Sequence, residues 1–582
     1  MFLCAESSAE MRGFMQLNLN SIIHQLTNNA GSSVDKNAQT SNTAPNVSSN
    51  VQNTQPSTSA GNALLQNMLA GDTFTGKVMS IKDSMALLML TGGDFVNAHI
   101  AEGSSVSVGQ NLTFLIEQNT KQNISIKPLT MNEQQAFLIN KALDAAGYSL
   151  NESNIHIVKE LIGMNMPIDA AMIEKMITSA NEFPQANLKT IANLIRLEMP
   201  ITQDNIMQFE AYSNYQNSIS SQLNSMGEQF SQLFTNIVSN EAAMKNSAVA
   251  DNEALAGNLA KLQNFNMQQA SMLNDIVNTL YQNTSYQNQD ATYQNGLQEA
   301  VLSQPLQDVL SDKQMKTLES TINQLLSESP DNEQLQTISN ALREKSLTTN
   351  QLLSDLTLLL KNNPEFASKF SSFGEASIME KLFSQMINET MKLTPADVAK
   401  EDGIKNYYKR LKQSLEKLTS DGRESALPQE LSKSMNEVKA NIDFMNDLNK
   451  NMTYVQIPIQ LKNSETNGEL YVFTNKKALS KGADNVSAML HLDMEHLGPI
   501  DIYVRLQNKN VSTNFCLASE ELLDFVYAHI DKLDARLQAL GYSTSFEMKL
   551  NEPEDKFDFV EDFVEKDISK NSTSQFILDI RA

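Results

Sequence analysis

A multidomain chain, mostly α with two small β-containing domains, is the fold class this sequence predicts. Three observations carry that reading. Short apolar/polar alternations cluster twice, once near residues 73–126 and again in the last ~130 residues. Between them runs Asn/Gln/Ser-rich sequence whose hydrophobes recur at helical spacing. Ahead of both lies a polar leader with no periodicity.

Residues 1–70 form that leader. Phe14 to Leu26 is a short amphipathic candidate, but Thr27 to Gly61 is an Asn/Ser/Thr/Gln/Pro tract that cannot bury enough surface to fold. Phe2-Leu-Cys-Ala5 is too short for a signal-peptide core, and Glu6 interrupts it. No stretch approaches the ~18 apolar residues that span a bilayer. These features predict a chain kept in the cytosol, or exported by a route without a cleaved hydrophobic signal, and not inserted in a membrane.

Residues 71–130 supply strand candidates at Thr73–Val78, Met85–Leu90, Phe95–Ala98, Leu112–Ile116 and Ile124–Ile126, with Gly92-Gly93, Gly103 and Gly109 at the connections. Short strands so closely spaced predict a small barrel-like sheet. Gly92-Gly93-Asp94 is not a phosphate loop, since no Gly-Lys-Ser/Thr follows. Residues 131–208 read as a helical domain with a two-copy repeat. Met166-Pro-Ile-Asp169 is echoed by Met199-Pro-Ile-Thr202, a period of 33 residues, with Asp169 and Thr202 placed to cap the helix after each proline.

From 209 to 303 the chain lacks proline and is crowded with Asn, Gln and Ser. Leu223, Met226, Phe230, Leu233, Phe234 and Ile237, then Leu255, Leu259, Leu262, Phe265, Met272, Leu273, Ile276 and Leu280, keep helical spacing without a strict coiled-coil heptad. High Asn/Gln content weakens helix, so this segment is expected as a helical or partly disordered stalk, a fluctuating rod rather than a rigid coiled coil. Tyr281, Tyr286 and Tyr293 are expected outside stable helix. Residues 304–450 are more firmly helical, punctuated by Pro305, Pro330, Pro364, Pro395 and Pro428.

Residues 451–550 form the second alternating cluster: Tyr454–Leu461, Glu469–Thr474, Val486–Leu492, Ile500–Leu506, Val511–Phe515 and Ser543–Leu550. Asn467-Gly468 reads as a hairpin turn, a lysine-rich loop spans Asn475 to Asp484, Gly498-Pro499 turns the chain again, and Asn508 to Asn510 separates the next pair. Between the last two strands, Leu522, Leu523, Val526, Ile530, Leu533, Leu537 and Leu540 lie on one face of a single helix, N-capped by Ser519 and ended by Gly541. One helix packed on a mixed sheet buries both apolar faces. Residues 551–582 read as an acidic tail with a terminal strand-like segment.

The run Leu490-His-Leu-Asp-Met-Glu-His-Leu-Gly-Pro-Ile-Asp-Ile-Tyr-Val-Arg-Leu506, then Val511-Ser-Thr-Asn-Phe515, then the helix ending Leu537-Gln-Ala-Leu-Gly541, resembles the C-terminal domain of flagellar hook-length control proteins. Phe576-Ile-Leu-Asp-Ile-Arg-Ala582 is similar to the ending of some members. His496 stands between the Glu and Leu of the family's turn, and Met494 where a Pro is usual. The resemblance covers about 450–582. It implies a secreted ruler that also switches export substrate class, partnered by the cytoplasmic domain of the flagellar export gate and by hook and hook-cap subunits. It places the protein in the cytoplasm before export through the flagellar type III apparatus, with the leader as export signal. It makes Glu495, Leu497, Gly498 and Pro499 the candidate gate-facing residues. The other reading is a rod-like binding scaffold or adhesin-like structural protein of a phage tail or cell envelope.

Charge and motif content bound the alternatives. The net charge of −24, from 68 acidic and 44 basic residues, argues against nucleic acid as a partner, and the best basic run, Lys409-Arg-Leu-Lys412, reads as a solvated helix face. Cys4 and Cys516, the only two cysteines, make no disulfide framework or redox motif, and Cys516 reads as a small core or edge residue. His491 and His496 near Asp493 and Glu495 fit adventitious metal binding better than a built site, because His491 alternates with Leu490 and Leu492 and so points outward if they are buried. No Gly-x-Ser-x-Gly, His-Glu-x-x-His or Walker pattern occurs. Neither an enzyme nor a cofactor or metal site is expected.

Overall fold

The structure, a computed structural model, describes residues 63, 65–90, 93–102, 104–120, 123–247, 253–285, 304–400, 402–419, 427–461, 465–474, 479, 485–494, 497–551 and 557–565. They fall into two compact units, one within 34–192 and one within 193–573.

The first unit holds a closed five-stranded barrel: β1 (Thr73–Lys82), β2 (Met85–Leu90), β3 (Phe95–Ile100), β4 (Asn111–Asn119) and β5 (Ile124–Pro128), in the order β1-β2-β3-β5-β4. Alternate residues point inward, as the period of two requires. Val78, Leu88, Val96, Phe114, Ile116 and Ile126 fill the interior, and Phe74 stacks on Phe114 at 5.6 Å. Helices α1 (Met131–Ala145), α2 (Glu152–Gly163) and α3 (Ala170–Glu182) come next. A capping box at Thr130–Glu133 starts α1, and the Asp169 side chain accepts from the Met172 amide to start α3. Helix α4 (Leu188–Arg196) spans the division between the units.

In the second unit the other copy of the repeat starts α5 (Gln203–Ser213), where the Thr202 hydroxyl accepts from the Asn205 amide. The long middle region is mostly helical. Helices α6 (Ile219–Ser247) and α7 (Glu253–Ser285) come first, then α8 (Asp312–Glu328), α9 (Glu333–Arg343), α10 (Thr349–Asn362), α11 (Ile378–Met391), α12 (Gly403–Thr419) and α13 (Gln429–Leu448).

The hydrophobic spacing in α6 and in the second half of α7 marks packing faces, and the rod expected of them is folded into a helical body, although Phe265 of the predicted α7 stripe is 51% exposed. Leu223, Met226, Phe230, Leu233, Phe234 and Ile237 are all buried. Phe230 meets Phe383 of α11 at 6.0 Å. A Cβ on Gly227 would lie 3.2 Å from Ile387 Cγ1 and 3.5 Å from the Phe383 carbonyl oxygen, so α6 and α11 cross closely there. Asparagine also serves the packing, against its low helix propensity. The buried Asn274 donates to the Thr357 hydroxyl of α10 at 3.0 Å, and Asn266 to the Ile237 carbonyl at 3.0 Å. Tyr281, expected outside helix, is buried near the end of α7; Tyr286, Tyr293 and the side chain of Leu255 lie outside the described residues.

The C-terminal part is a mixed six-stranded sheet with packed helices. Strands β6 (Thr453–Gln460), β7 (Glu465–Val472), β8 (Asn485–Met494), β9 (Gly498–Gln507), β10 (Asn510–Leu517) and β11 (Ser543–Leu550) lie in the order β11-β10-β9-β8-β7-β6, antiparallel except β10 with β11. Two expectations change. Asn467-Gly468 is not a turn but lies inside β7, where a Cβ on Gly468 would meet Leu492 Cδ2 at 3.3 Å and Ile457 Cβ at 3.4 Å; glycine is needed for close strand packing. The single helix at 519–540 is two, α14 (Glu520–Tyr527) and α15 (Ile530–Ala539), parted at Ala528-His529. Leu522 and Val526 of α14 are buried, whereas α15 has no fully buried residue and Leu540 is 49% exposed. Ser519 accepts from the Leu522 amide as expected, and Gly541 ends the pair at φ +86°. The lysine-rich loop falls almost entirely outside the described residues.

Candidate interaction surface of the C-terminal domain

The β8–β9 hairpin carries the sequence-predicted surface. Alternation along β8 sends Val486, Ala488, Leu490 and Leu492 to one buried face, and the matching residues of β9 begin with buried Ile500. At the hairpin end Met494 pairs with Gly498 and Asp493 with Pro499. Gly498 stands at φ +71° with nothing within 4 Å of where a Cβ would be, so backbone conformation, not crowding, requires glycine there. Leu497 is half-buried, Pro499 and Asp493 are exposed, and the Thr466 hydroxyl of β7 holds the tip by donating 2.6 Å to the Asp493 carbonyl. Leu497, Gly498 and Pro499 are therefore together at one exposed end of the sheet. Glu495 and His496 lie outside the described residues.

The opposite face of the same strands carries a polar row beside the buried Met489. Glu469 of β7, His491 of β8 and Asp501 of β9 stand in register on adjacent strands. His491 does alternate away from the leucines, but it does not simply face water. Its Nδ1 lies 2.5 Å from an Asp501 carboxylate oxygen, with the two side chains 30% and 11% exposed. Burial lowers the basicity of the imidazole, yet the bond to Asp501 and the charges of Asp501, Glu469 and Asp493 outweigh it and hold the pKa above its ordinary value. Among the described residues no group of three or more His, Cys, Asp or Glu side chains could hold a metal ion. Cys516 is buried in β10.

Next to this row is a buried polar seam between the sheet and the helices, which sequence patterning does not reveal. Glu469 accepts hydrogen bonds from the Tyr454 hydroxyl at 2.6 Å, Tyr471 at 3.1 Å and the Asn217 amide at 3.1 Å. Gln456 of β6 accepts from the Ile219 amide at 2.8 Å, satisfying an orphan donor at the start of α6. Gln456 donates to the Tyr212 hydroxyl at 3.1 Å, and Tyr212 donates to Asn441 of α13 at 2.8 Å. Burial raises the Tyr212, Tyr454 and Tyr471 phenols, so all three remain protonated donors at neutral pH.

The acidic-tail reading of 551–582 misses one element. Phe559–Glu565 forms a single wide helical turn in which Phe559, Phe563 and Val564 are buried and the two rings pack on this seam. The signal available in the sequence is the four-residue spacing of Phe559 and Phe563 among acidic residues.

Residues 474–556 match a protein family described as flagellar hook-length control protein FliK. The matched segment contains β8 to β11 with α14 and α15, so the C-terminal domain is hook-length-control-like. No curated protein and no solved structure matches the chain. Among the described residues no helix is long and apolar enough to cross a membrane.

Proposed function

We propose that the chain controls flagellar hook length, acting as an exported ruler whose C-terminal domain switches the export apparatus from hook to filament substrates. The observation that carries this reading is the family match over 474–556, which falls on one continuous sheet-and-helix element and includes the hairpin end. On this reading the cytoplasmic domain of the export gate binds the β8–β9 tip, with Glu495, Leu497, Gly498 and Pro499 in the contact, and hook and hook-cap subunits are met during passage. The protein works in the cytoplasm and leaves through the flagellar type III apparatus, with the polar leader as its export signal. It is not an enzyme and needs no cofactor.

Export through a narrow channel requires the domains to unfold. Beside their apolar packing, the helices are joined by asparagine hydrogen bonds such as Asn266 to Ile237 and Asn274 to Thr357, each worth only ~1 kcal/mol net. The test is direct binding of the purified full chain to the purified cytoplasmic domain of the export gate. Pro499→Asp, at an exposed position, should weaken binding about tenfold or more while melting stays near that of the parent. Unchanged affinity would remove the tip from the contact, and no affinity in the parent chain would remove the switch reading.

A further inference from the structure

The aromatic seam and the segment lying on it fall outside residues 474–556, so a role for them stands or falls independently of the hook-length reading. Phe559 packs 5.3 Å from Tyr212 and 6.0 Å from Phe209, both on α5, while Phe563 packs 5.1 Å from Tyr471 and 6.0 Å from Phe473. Tyr454 lies 6.3 Å from both phenylalanines. Two rings four residues apart on one helical turn thus occupy a groove between a helix and two strands, and Phe557 adds a third ring just ahead of the turn, 4.7 Å from Tyr471.

Two features separate occupant from groove. The segment forms its own local polar bonds: Asp558 accepts from the Val560 and Glu561 amides at 2.9 and 2.8 Å, and the Asp558 amide donates to Asp562 at 2.8 Å. The groove floor is satisfied from within, since the hydroxyls of Tyr212, Tyr454 and Tyr471 are bonded to Asn441 and Glu469. Departure of the segment therefore leaves those hydroxyls paired and strands no buried donor on the floor. The Tyr215 hydroxyl adds a tether, donating 2.7 Å to the Phe557 carbonyl. The acidic side chains of Asp558 and Asp562 lie near Tyr215, where with burial they raise its phenol.

The geometry points to a peptide-docking groove that the chain fills with its own segment 557–565, and that accepts from a partner protein a short acidic helix carrying two phenylalanines four residues apart. The occupant seen here defines the ligand class: rings at i and i+4 toward the floor, carboxylates along the outer edge.

A fluorescent peptide of sequence Phe-Asp-Phe-Val-Glu-Asp-Phe-Val-Glu tests this by anisotropy against the full chain. The chain carrying Phe559→Ala and Phe563→Ala should melt cooperatively and bind the peptide saturably. The unsubstituted chain, whose groove is filled, should bind about tenfold or more weakly. Tyr215→Phe in the unsubstituted chain removes the tether without touching the floor and should raise its peptide affinity roughly threefold. A peptide in which the two phenylalanines matching Phe559 and Phe563 are replaced by alanine should not bind. Absence of binding to a cooperatively melting double variant, or equal binding to variant and parent, would overturn the proposal. Loss of cooperative melting in the double variant would also overturn it, because Phe559 and Phe563 would then be fold-determining core.

Discussion

At the scale of single residues, His491 is the most informative side chain because its charge state couples two strands. Its folded-state pKa lies above the ordinary 6.5 of a free histidine. The contribution to stability is therefore complete below the ordinary value and is lost as pH rises through the raised folded value, where the imidazolium that pairs with Asp501 gives up its proton. Melting of the full chain should fall across that window, and His491→Gln should flatten this part of the profile; an unchanged profile in the variant would assign the pH dependence elsewhere. Leu497 is the second test. The side chain is half-buried at the hairpin end, so Leu497→Asp should cost about 1–2 kcal/mol rather than unfold the domain. Denaturant unfolding reads this directly. Glu495→Ala is the paired variant, and a switching defect at parental stability would place Glu495 on the contact surface.

At the scale of elements, two glycines hold close crossings. Gly468→Val should force Leu492 and Ile457 apart between β7 and its neighbours, and Gly227→Val should do the same between α6 and α11. Each is expected to cost about 1–3 kcal/mol as overpacking, measured by denaturant midpoint. These positions also show where sequence reasoning stops. The strands were legible because one face of each is apolar, and Asp169, Thr202 and Ser519 were legible as caps because capping is local chemistry. Gly468 was misread because a glycine after asparagine signals a turn by propensity, whereas its role here is set by two residues far away in sequence. The break at Ala528-His529 left no signal in a continuous helical stripe. In α6 and α7 the buried stripe was readable, but its partners α10 and α11 were not, since periodicity reveals that a face is buried and not against what. At the candidate site Leu497, Gly498 and Pro499 were named from the family resemblance, and their common position at the end of the β8–β9 hairpin follows from local turn chemistry at Gly498-Pro499. The polar seam was missed because Asn217, Tyr212, Asn441, Gln456 and Glu469 meet only after long-range folding.

At the scale of the whole molecule, the folded helical body changes how a ruler is to be tested. Deleting residues between 219 and 285 would remove packed faces of α6 and α7 and confound length with stability. Inserting about 30 polar residues within 286–303 avoids every described element while adding ~100 Å of extended contour. If an exported, extended chain measures length, electron microscopy should show longer hooks, and a series of insertions should lengthen them in proportion. Unchanged hooks across such a series would reject the ruler role.

The switch is the central claim, and it rests on the C-terminal domain. In the organism that carries this chain, removing residues 451–582 while confirming that the truncated protein still reaches the medium separates switching from export. The hook-length distribution, measured by electron microscopy of purified hook–basal bodies, should then broaden to over-long hooks that carry no filaments. Hooks of normal length bearing normal filaments would contradict the switch.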